Sequence, residues 1–577
     1  MKLAEYRRRF YTNDKFPLRI GSGSIGGKAA GLTDIAASLA EDTKIETDYD
    51  LKVSIPSSVV IATDLFDEFM AQNRLYSVAY SDTADDRIAE EFQKASLPAR
   101  LVGDLRSIVR EVHTPLAIRS SSMLEDAIKH PFAGVYVTKM TPNNQPNEDE
   151  RFRKLVETIK LVYASTFFEG AKRYTSAIGK KSSDEKMAVI LQEVAGRRHD
   201  VRFYPDISGV ARSHNYYPFG HATPTDGVVN LALGLGKAIV DGEPTWSYCP
   251  AYPASPAPFN GVNDMLKNTQ TGFWSVNMAG LNEYDPTREN EYLRFGTLNE
   301  ADYDNALHRI ASTYDFQSDR IQMGTAGAGP KVVNFAPALG LHNSQINSVI
   351  RRVLTLCEHS VGRDVEIEFA ITLEKGHGFG GDFSLLQVRP TMDTQADIRI
   401  DPDEVNSTRC IGYSNQVMGH GVSSNLQDIV FVRPDTFNPK HSAATAQEIG
   451  RINEQLQKEG RPYLLIGYGR WGTSDPWRGI PVMWDQISGA KTIFEMERDG
   501  MGFDFSQGSH FFHNMTSFNV SYFFVSKNHG DKLDMNWIEH QHLISEYSFV
   551  KHVRLETSLI VKVDSKTGKG VVCRVKR

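Results

Sequence analysis

Two strand-like segments near the middle of the chain constrain its fold most: Val365-Glu366-Ile367-Glu368-Phe369-Ala370-Ile371 and Phe383-Ser384-Leu385-Leu386-Gln387-Val388-Arg389-Pro390. Period-2 alternation sends Val365, Ile367, Phe369 and Ile371 to one face of a strand and Glu366 and Glu368 to the other. The glycine-rich stretch between the segments, residues 374–382, reads as an elongated hairpin connection. Such a hairpin brings Gln387 and Arg389 alongside the two glutamates and predicts Leu386 and Val388 in a core. Two acids, an amide and a guanidinium on one surface suit a magnesium polyphosphate, because carboxylate oxygens take the hard cation and Arg takes phosphate oxygens. The same pattern also describes an edge hairpin with a solvated outer face.

A chain of 577 residues is too long for one core, and its length predicts roughly three to five domains or subdomains. A net charge of -7 gives no electrostatic reason to expect a nucleic-acid partner. The four cysteines, Cys249, Cys357, Cys410 and Cys573, form no CxxC or zinc-like cluster, which predicts reduced thiols in a cytoplasmic protein. No apolar run follows the basic N-terminus and no window approaches the roughly 20 apolar residues of a membrane span, so neither a secretory signal nor a membrane partner is expected. Basic residues alternate with Val and Ile around Thr567-Gly568-Lys569-Gly570, the pattern of a solvated terminal hairpin.

Up to about residue 250, helical stretches alternate with short apolar strands at 57–62, 116–118 and 187–192, a mixture typical of α/β or α+β nucleotide-binding architectures. Residues 250–330 are rich in Pro, Asn, Gly and Tyr and read as an insertion or interdomain excursion. A helix over Ile346, Ile350, Val353, Leu354 and Cys357 leads into the acidic hairpin. Polar residues 396–410 read as a linker to a C-terminal domain at 411–577.

Gly21-Ser22-Gly23-Ser24-Ile25-Gly26-Gly27-Lys28 satisfies GxGxxG but lacks the context of a dinucleotide site, and it misses the P-loop at Ser22 and Ala29. A glycine loop whose N–H groups approach a phosphate while Lys28 supplies charge is one reading; an ordinary helix-start loop is the other. In Pro115-Leu116-Ala117-Ile118-Arg119-Ser120-Ser121-Ser122-Met123-Leu124-Glu125-Asp126, a short buried strand ends in one cation and three hydroxyls, at the strand tip where phosphates sit in α/β sheets. Ser122 and Glu125 also have the spacing of a capping box, which accounts for neither Arg119 nor the glycine turn at 134.

The ordered set Gly-Gly-Lys-Ala-Ala-Gly-Leu at 26–32, Ile-Arg-Ser-Ser-Ser with Glu-Asp and Phe-Ala-Gly at 118–134, and Glu-Ile-Glu-Phe-Ala with Leu-Leu-Gln-Val-Arg-Pro at 366–390 resembles the N-terminal ATP-binding domain of the pyruvate phosphate dikinase and phosphoenolpyruvate synthase family. Gln192 after an apolar strand, Ser208-Gly209-Val210-Ala211 and Gly234-Leu235-Gly236-Lys237-Ala238-Ile239-Val240-Asp241-Gly242 extend the resemblance, which covers residues 15–395. It implies an α+β chain: an ATP-grasp-like region over 1–395 holding Mg-ATP in a cleft, followed by a smaller mixed α/β domain. It further implies that Lys28, Arg119 and Arg389 contact phosphates, that Glu368 and Gln387 hold metal and nucleotide, and that Glu366 and Gln192 assist.

Those enzymes carry the phosphoryl group on a histidine in a Thr-Ser-His-Ala-Ala type segment and finish on a phosphoenolpyruvate-binding barrel, and neither is found in this sequence. The C-terminal region instead carries Val417-Met418-Gly419-His420-Gly421, Ile466-Gly467-Tyr468-Gly469-Arg470-Trp471-Gly472-Thr473-Ser474-Asp475-Pro476-Trp477 and Gln507-Gly508-Ser509-His510-Phe511-Phe512-His513-Asn514. Their Gly, Arg, Trp and Asp density reads as a polar pocket with aromatic walls, or as turns stabilised by Trp packing. His420 and His510 are candidate bases or phosphoryl acceptors and Asp475 a candidate base, although a His that satisfies a buried hydrogen bond is the commoner case. The spacing of His510 and His513 brings no convincing third zinc ligand.

The function expected is phosphoryl transfer from Mg-ATP to a small-molecule acceptor or a separate phosphohistidine-carrying protein. The alternative is an ATP-binding regulatory module or half of a split system. A homo-oligomer is compatible with the sequence.

Overall fold

The computed structural model describes residues 4–6, 18–42, 45, 48–123, 125, 134–177, 180–255, 259, 261–281, 284–340, 345–376, 378–391, 398–473, 475, 477–497, 511–512, 515, 520–526 and 530–575. Two six-stranded sheets form its N-terminal part. The first runs Ala4–Glu5, Leu18–Ile20, Ser58–Ile61, Met187–Glu193, Leu116–Ser122, Thr138–Thr141 in spatial order. The second runs Trp246–Tyr248, Val228–Ala232, Ile207–Arg212, Val365–Leu373, Gly381–Pro390, Leu51–Ser54.

Burial explains why these segments are strands. All of Leu116–Ser122 is buried, as expected of a strand covered on both faces. Leu116 and Ile118 enter an aliphatic and aromatic core with Phe66, Phe69, Phe92 and Tyr163. In the second sheet Val365, Ile367, Phe369 and Ile371 share a core with Val349, Ile350 and Val353 of the helix Ile346–Val361, whose apolar residues recur at helical spacing. Gly362 ends that helix in the left-handed conformation, a position where a side chain would be strained.

The hairpin pairs in the expected register, Glu366 opposite Arg389 and Glu368 opposite Gln387. One expectation fails: Leu386 is not in the core. A β-bulge between Glu368 and Phe369 on the partner strand leaves Leu386 unpaired, since Phe369 pairs with Leu385. The side that faces the core changes there. Phe383 and Leu385 point into it before the bulge and Val388 after it, and Leu386 turns to the opposite side.

Residues 250–330 carry strands that join the fold. Gly272–Asn277 pairs with Leu293–Thr297 and Arg202–Tyr204, and Ala311–Asp315 pairs with Arg320–Met323 and Lys331–Val333. Phe273 enters the main core.

Beyond residue 398, the short helix Pro402–Asn406 precedes a ten-stranded mixed sheet. Its parallel centre, Gly421–Val432, Tyr463–Tyr468, Ala490–Met496 and Ser521–Val525, is crossed over by the helix Ser442–Lys458 between the first two strands. Tyr216 and Tyr217, from the loop after Ile207–Arg212, pack into the core beneath this sheet. The terminal hairpin forms with its turn where expected, but inside the sheet rather than at a solvated edge. Val550–Asp564 lies between Gly421–Val432 and Lys569–Arg574, and Val561, Val563, Val571 and Val572 are buried. No helix among the described residues is long and apolar enough to cross a membrane.

Candidate functional site

The two N-terminal sheets face each other across a cavity of about 350 Å³, a size suited to a small ligand. The first sheet contributes Ala117, Arg119, Thr138, Met140 and Gln192, and the second contributes Ser208, Glu368, Leu386, Gln387 and Arg389. Lys28 enters from the first turn of the helix Gly26–Glu41. One part of the wall is apolar, with Met140, Val194, Leu235 and Leu293 grouped around a single small cluster. The other part is a network of charges.

Arg119 is the hub of that network. Its Nη1 donates to Gln192 Oε1 at 3.1 Å and to the Leu386 carbonyl at 2.8 Å, and its Nη2 donates to Gln387 Oε1 at 2.6 Å and lies 3.5 Å from Glu368 Oε2. The bulge is what aims the Leu386 carbonyl and the Gln387 side chain at this guanidinium. Arg389 Nη2 donates to Glu368 Oε1 at 2.6 Å. Glu368 is therefore held between two guanidiniums. The Gln192 amide uses its oxygen on Arg119 while its buried Nε2 has no hydrogen-bond partner among the described residues, so the cavity wall keeps a donor in reserve.

Glu366 does not line the cavity. It is buried one layer behind, where its carboxylate meets Arg389 Nη1 at 3.2 Å and Arg212 Nε at 2.5 Å. Arg212 faces it by register, since Ile207–Arg212 pairs with Val365–Leu373. The row Arg212, Glu366, Arg389, Glu368 alternates in sign, so Glu366 sets the position of Arg389 and balances two buried cations.

Lys28 is buried, with Nζ 2.6 Å from Glu125 Oε1 and 3.3 Å from Ser120 Oγ. Ser122 and Glu125 make the reciprocal bonds of a capping box, Glu125 N to Ser122 Oγ at 3.0 Å and Ser122 N to Glu125 Oε2 at 3.2 Å. The glycine loop before Lys28 differs from the phosphate-cradle reading. Its Ser22 and Gly23 amides donate to the Asp64 carboxylate at 3.1 and 2.9 Å, the Ser24 amide to Thr63 Oγ1, and the Gly26 amide to Ser24 Oγ. These N–H groups are spent inside the protein. Gly26, at φ 74°, also lies where an added Cβ would be 1.8 Å from the Ser121 carbonyl oxygen, so close packing of loop against strand demands glycine there.

Behind Glu125 lies a second carboxyl, Glu185, which accepts from Tyr136 Oη and the Met123 amide, both at 3.1 Å. Burial pushes its pKa up to about 7 against those hydrogen bonds, with Glu125 adding like-charge repulsion.

His420 and Asp475 do not line this cavity. His420 is buried, its Nδ1 3.1 Å from Ser565 Oγ and 3.9 Å from Asp564. Asp475 closes a turn, accepting from the Trp477 amide at 2.9 Å and lying 3.6 Å from Arg478. Trp471 is a core residue and Trp477 is exposed. His510 lies outside the described residues, as does His513.

Charged residues of the cavity wall that escaped individual notice in the sequence include Lys237, Asp241 and Glu289. The first two stand in the quoted Gly234–Gly242 motif, and Lys237 Nζ is 2.6 Å from Asp241. Glu289 comes from the composition-biased stretch 250–330, where no periodicity announces it. Its carboxylate accepts from the Thr138 amide at 3.0 Å, and burial raises its pKa. Arg212 ends an ordinary apolar strand and carried no signal of its own.

With this geometry in place, comparison with known proteins is decisive for the family. Residues 22–407 match the family described as pyruvate phosphate dikinase, AMP/ATP-binding domain. The chain belongs to that family. A relative from Bacillus subtilis (strain 168), described as uncharacterized phosphotransferase YvkC, is 25% identical over 202 residues. That match takes in 33% of this chain and spans 20% of the relative's length. The chain is thus an AMP/ATP-binding-domain protein whose cavity lies wholly within the matched residues.

Among the described residues no group of three or more His, Cys, Asp and Glu side chains could hold a metal. Glu368 and Gln387 present a carboxylate and an amide oxygen side by side. Two protein oxygens suit Mg²⁺, which completes its shell with water and substrate phosphate rather than an all-protein cage.

Proposed function

We propose that the chain binds Mg-ATP in the cavity between its two N-terminal sheets and transfers a phosphoryl group from it to an acceptor. The observation that carries the reading is the cross-strand set of Glu368, Gln387 and Arg389, locked to Arg119 of the opposite sheet. Phosphoryl transfer asks a protein chiefly for positioning and charge neutralisation, and these groups provide both. Glu368 and Gln387 would hold Mg²⁺, which when bound neutralises phosphate charge. Lys28, Arg119 and Arg389 take phosphate oxygens, and the Met140, Val194, Leu235 and Leu293 wall takes the base. Arg119 and Arg389 now spend their donors on Glu368, Gln192 and Gln387, so ligand binding exchanges protein acceptors for phosphate oxygens.

The acceptor is a small molecule, with ADP as product, or a histidine, with AMP and phosphate as products. Support for a regulatory module, or for half of a split system whose phosphohistidine sits on another polypeptide, comes from His420: its side chain is buried and held by Ser565. We place the chain in the cytoplasm, where ATP is available.

Phosphorus NMR of the purified protein with Mg-ATP and a small-molecule extract of its host tests the proposal. A new phosphoester with ADP, or AMP with phosphate, supports transfer. Bound but unchanged ATP supports the module or split-system reading, and absence of ATP binding overturns both.

A further inference from the structure

Cys410 and Cys573 look scattered in the sequence, yet the fold sets them face to face. The strand Cys410–Ser414 pairs antiparallel with Lys569–Arg574 and places Cys410 directly opposite Cys573. Opposed residues of an antiparallel ladder have Cα atoms about 4.5–5.5 Å apart, within the roughly 4.4–6.8 Å of disulfides. Both are free thiols, and Cys573 is placed to donate to the Cys410 sulfur. Each also touches a carbonyl, Cys410 Sγ that of Gly412 at 3.4 Å and Cys573 Sγ that of Glu404 at 3.9 Å. The register shifts immediately after Cys410, so the ladder is already relaxed beside the pair.

The surroundings favour one thiolate. The hydrogen bond from Cys573 and the charge of Lys532 on the adjoining strand outweigh burial and hold the Cys410 thiol at about 7, whereas its partner is pushed up. Arg409 and Glu404 are the charged groups that face Cys573. A low-pKa thiol beside a second thiol has the layout of an attacking and a resolving cysteine. Cys410 is buried as well, but Cys249 and Cys357 are more deeply so, and burial drives Cys357 up to about 12.

We propose that Cys410 and Cys573 form a reversible dithiol–disulfide couple, a covalent modification site built from residues that do not line the ATP cavity. With a peroxide as oxidant, the Cys410 thiolate attacks one peroxide oxygen, the O–O bond breaks, and a sulfenic acid and hydroxide form. The Cys573 sulfur then attacks the sulfenyl sulfur, the S–O bond breaks, and the hydroxide leaves with the Cys573 proton as water. A thiol reductant returns both electrons and both protons. The bond fastens the strand that follows the family-matched residues 22–407 to the last strand of the C-terminal sheet. In a reducing cytoplasm the couple rests as the dithiol and closes on oxidation.

The test is non-reducing peptide mass spectrometry of the full chain after hydrogen peroxide. The expected result is a linked peptide pair containing Cys410 and Cys573, lighter by two hydrogens and separated by dithiothreitol, with Cys249 and Cys357 still alkylated after denaturation. Cys410→Ser and Cys573→Ser should each abolish the linked pair. Wild-type protein in which the two cysteines stay unlinked, go to sulfinic acid, or link to other cysteines or a second chain would overturn the proposal, and that readout stands even where a variant does not fold.

Discussion

Arg119 and Gln387 stand 268 positions apart in the chain and 2.6 Å apart in space. The bond joins the two sheets that wall the cavity, and the same guanidinium also holds Gln192 and the Leu386 carbonyl. A lysine offers a point charge without the planar fork that this set of acceptors requires. Arg119→Lys is therefore expected to lower ATP affinity at least about tenfold and stability by about 1–3 kcal/mol, read by calorimetric titration and urea unfolding. Wild-type affinity in the variant would remove Arg119 from the nucleotide site.

Glu368→Gln keeps the shape of the side chain but removes its charge, leaving an amide where a hard cation would bind. Turnover of Mg-ATP should fall about a thousandfold or more, with a change in stability of about 1 kcal/mol because the amide oxygen still accepts from one guanidinium and the amide nitrogen of this incompletely buried side chain can turn to water. Rates measured across a magnesium titration decide the matter. A variant with wild-type turnover would end the metal assignment.

Glu366→Gln should behave in the opposite way, harming the fold more than the chemistry of the nucleotide. Loss of its charge leaves Arg212 and Arg389 buried without their shared counter-ion, and breaking such a pair costs about 3–5 kcal/mol. Denaturant midpoints for the two glutamine variants, compared side by side, separate the buttress from the ligand. Equal destabilisation by both would contradict the layering described here.

Glu185 gives the stability a signature in pH. Its folded pKa of about 7 lies above the ordinary carboxyl value of 4.5, so the folded state binds the extra proton across that interval. The contribution is fully present below pH 4.5 and is lost as pH rises through about 7, a fall of about 3 kcal/mol. Urea midpoints at acid and mildly alkaline pH should show this decline in the wild type and lose it in Glu185→Gln. An unchanged pH profile in the variant would place the titration elsewhere.

The pairing of Glu366 with Arg389 and of Glu368 with Gln387 is legible in the sequence because strict alternation and a glycine-rich connection leave few registers open. The contacts that distant segments add around the site are not. Arg212 closes an ordinary apolar strand, Glu289 stands in a stretch without periodicity, and Asp64 captures the glycine-loop amides from a different helix. Each of these roles depends on a contact between distant segments, and local pattern carries no record of it. The terminal hairpin shows the same limit: its turn is written in Thr567-Gly568-Lys569-Gly570, but its place within the sheet is decided by strands far away.

The unpaired Leu386 makes the cavity depend on parity. Counting from Phe383 and Leu385, an uninterrupted strand would put residues 387 and 389 on the greasy side, and an amide and a guanidinium would be driven into the packing around Val353. One supernumerary residue reverses the count, so two polar side chains reach the cleft while Val388 still reaches the interior. Deleting a single codon there should do more damage than most substitutions, because it would exchange the inside and outside of everything that follows on the strand. Insertions of two residues would be better tolerated than insertions of one.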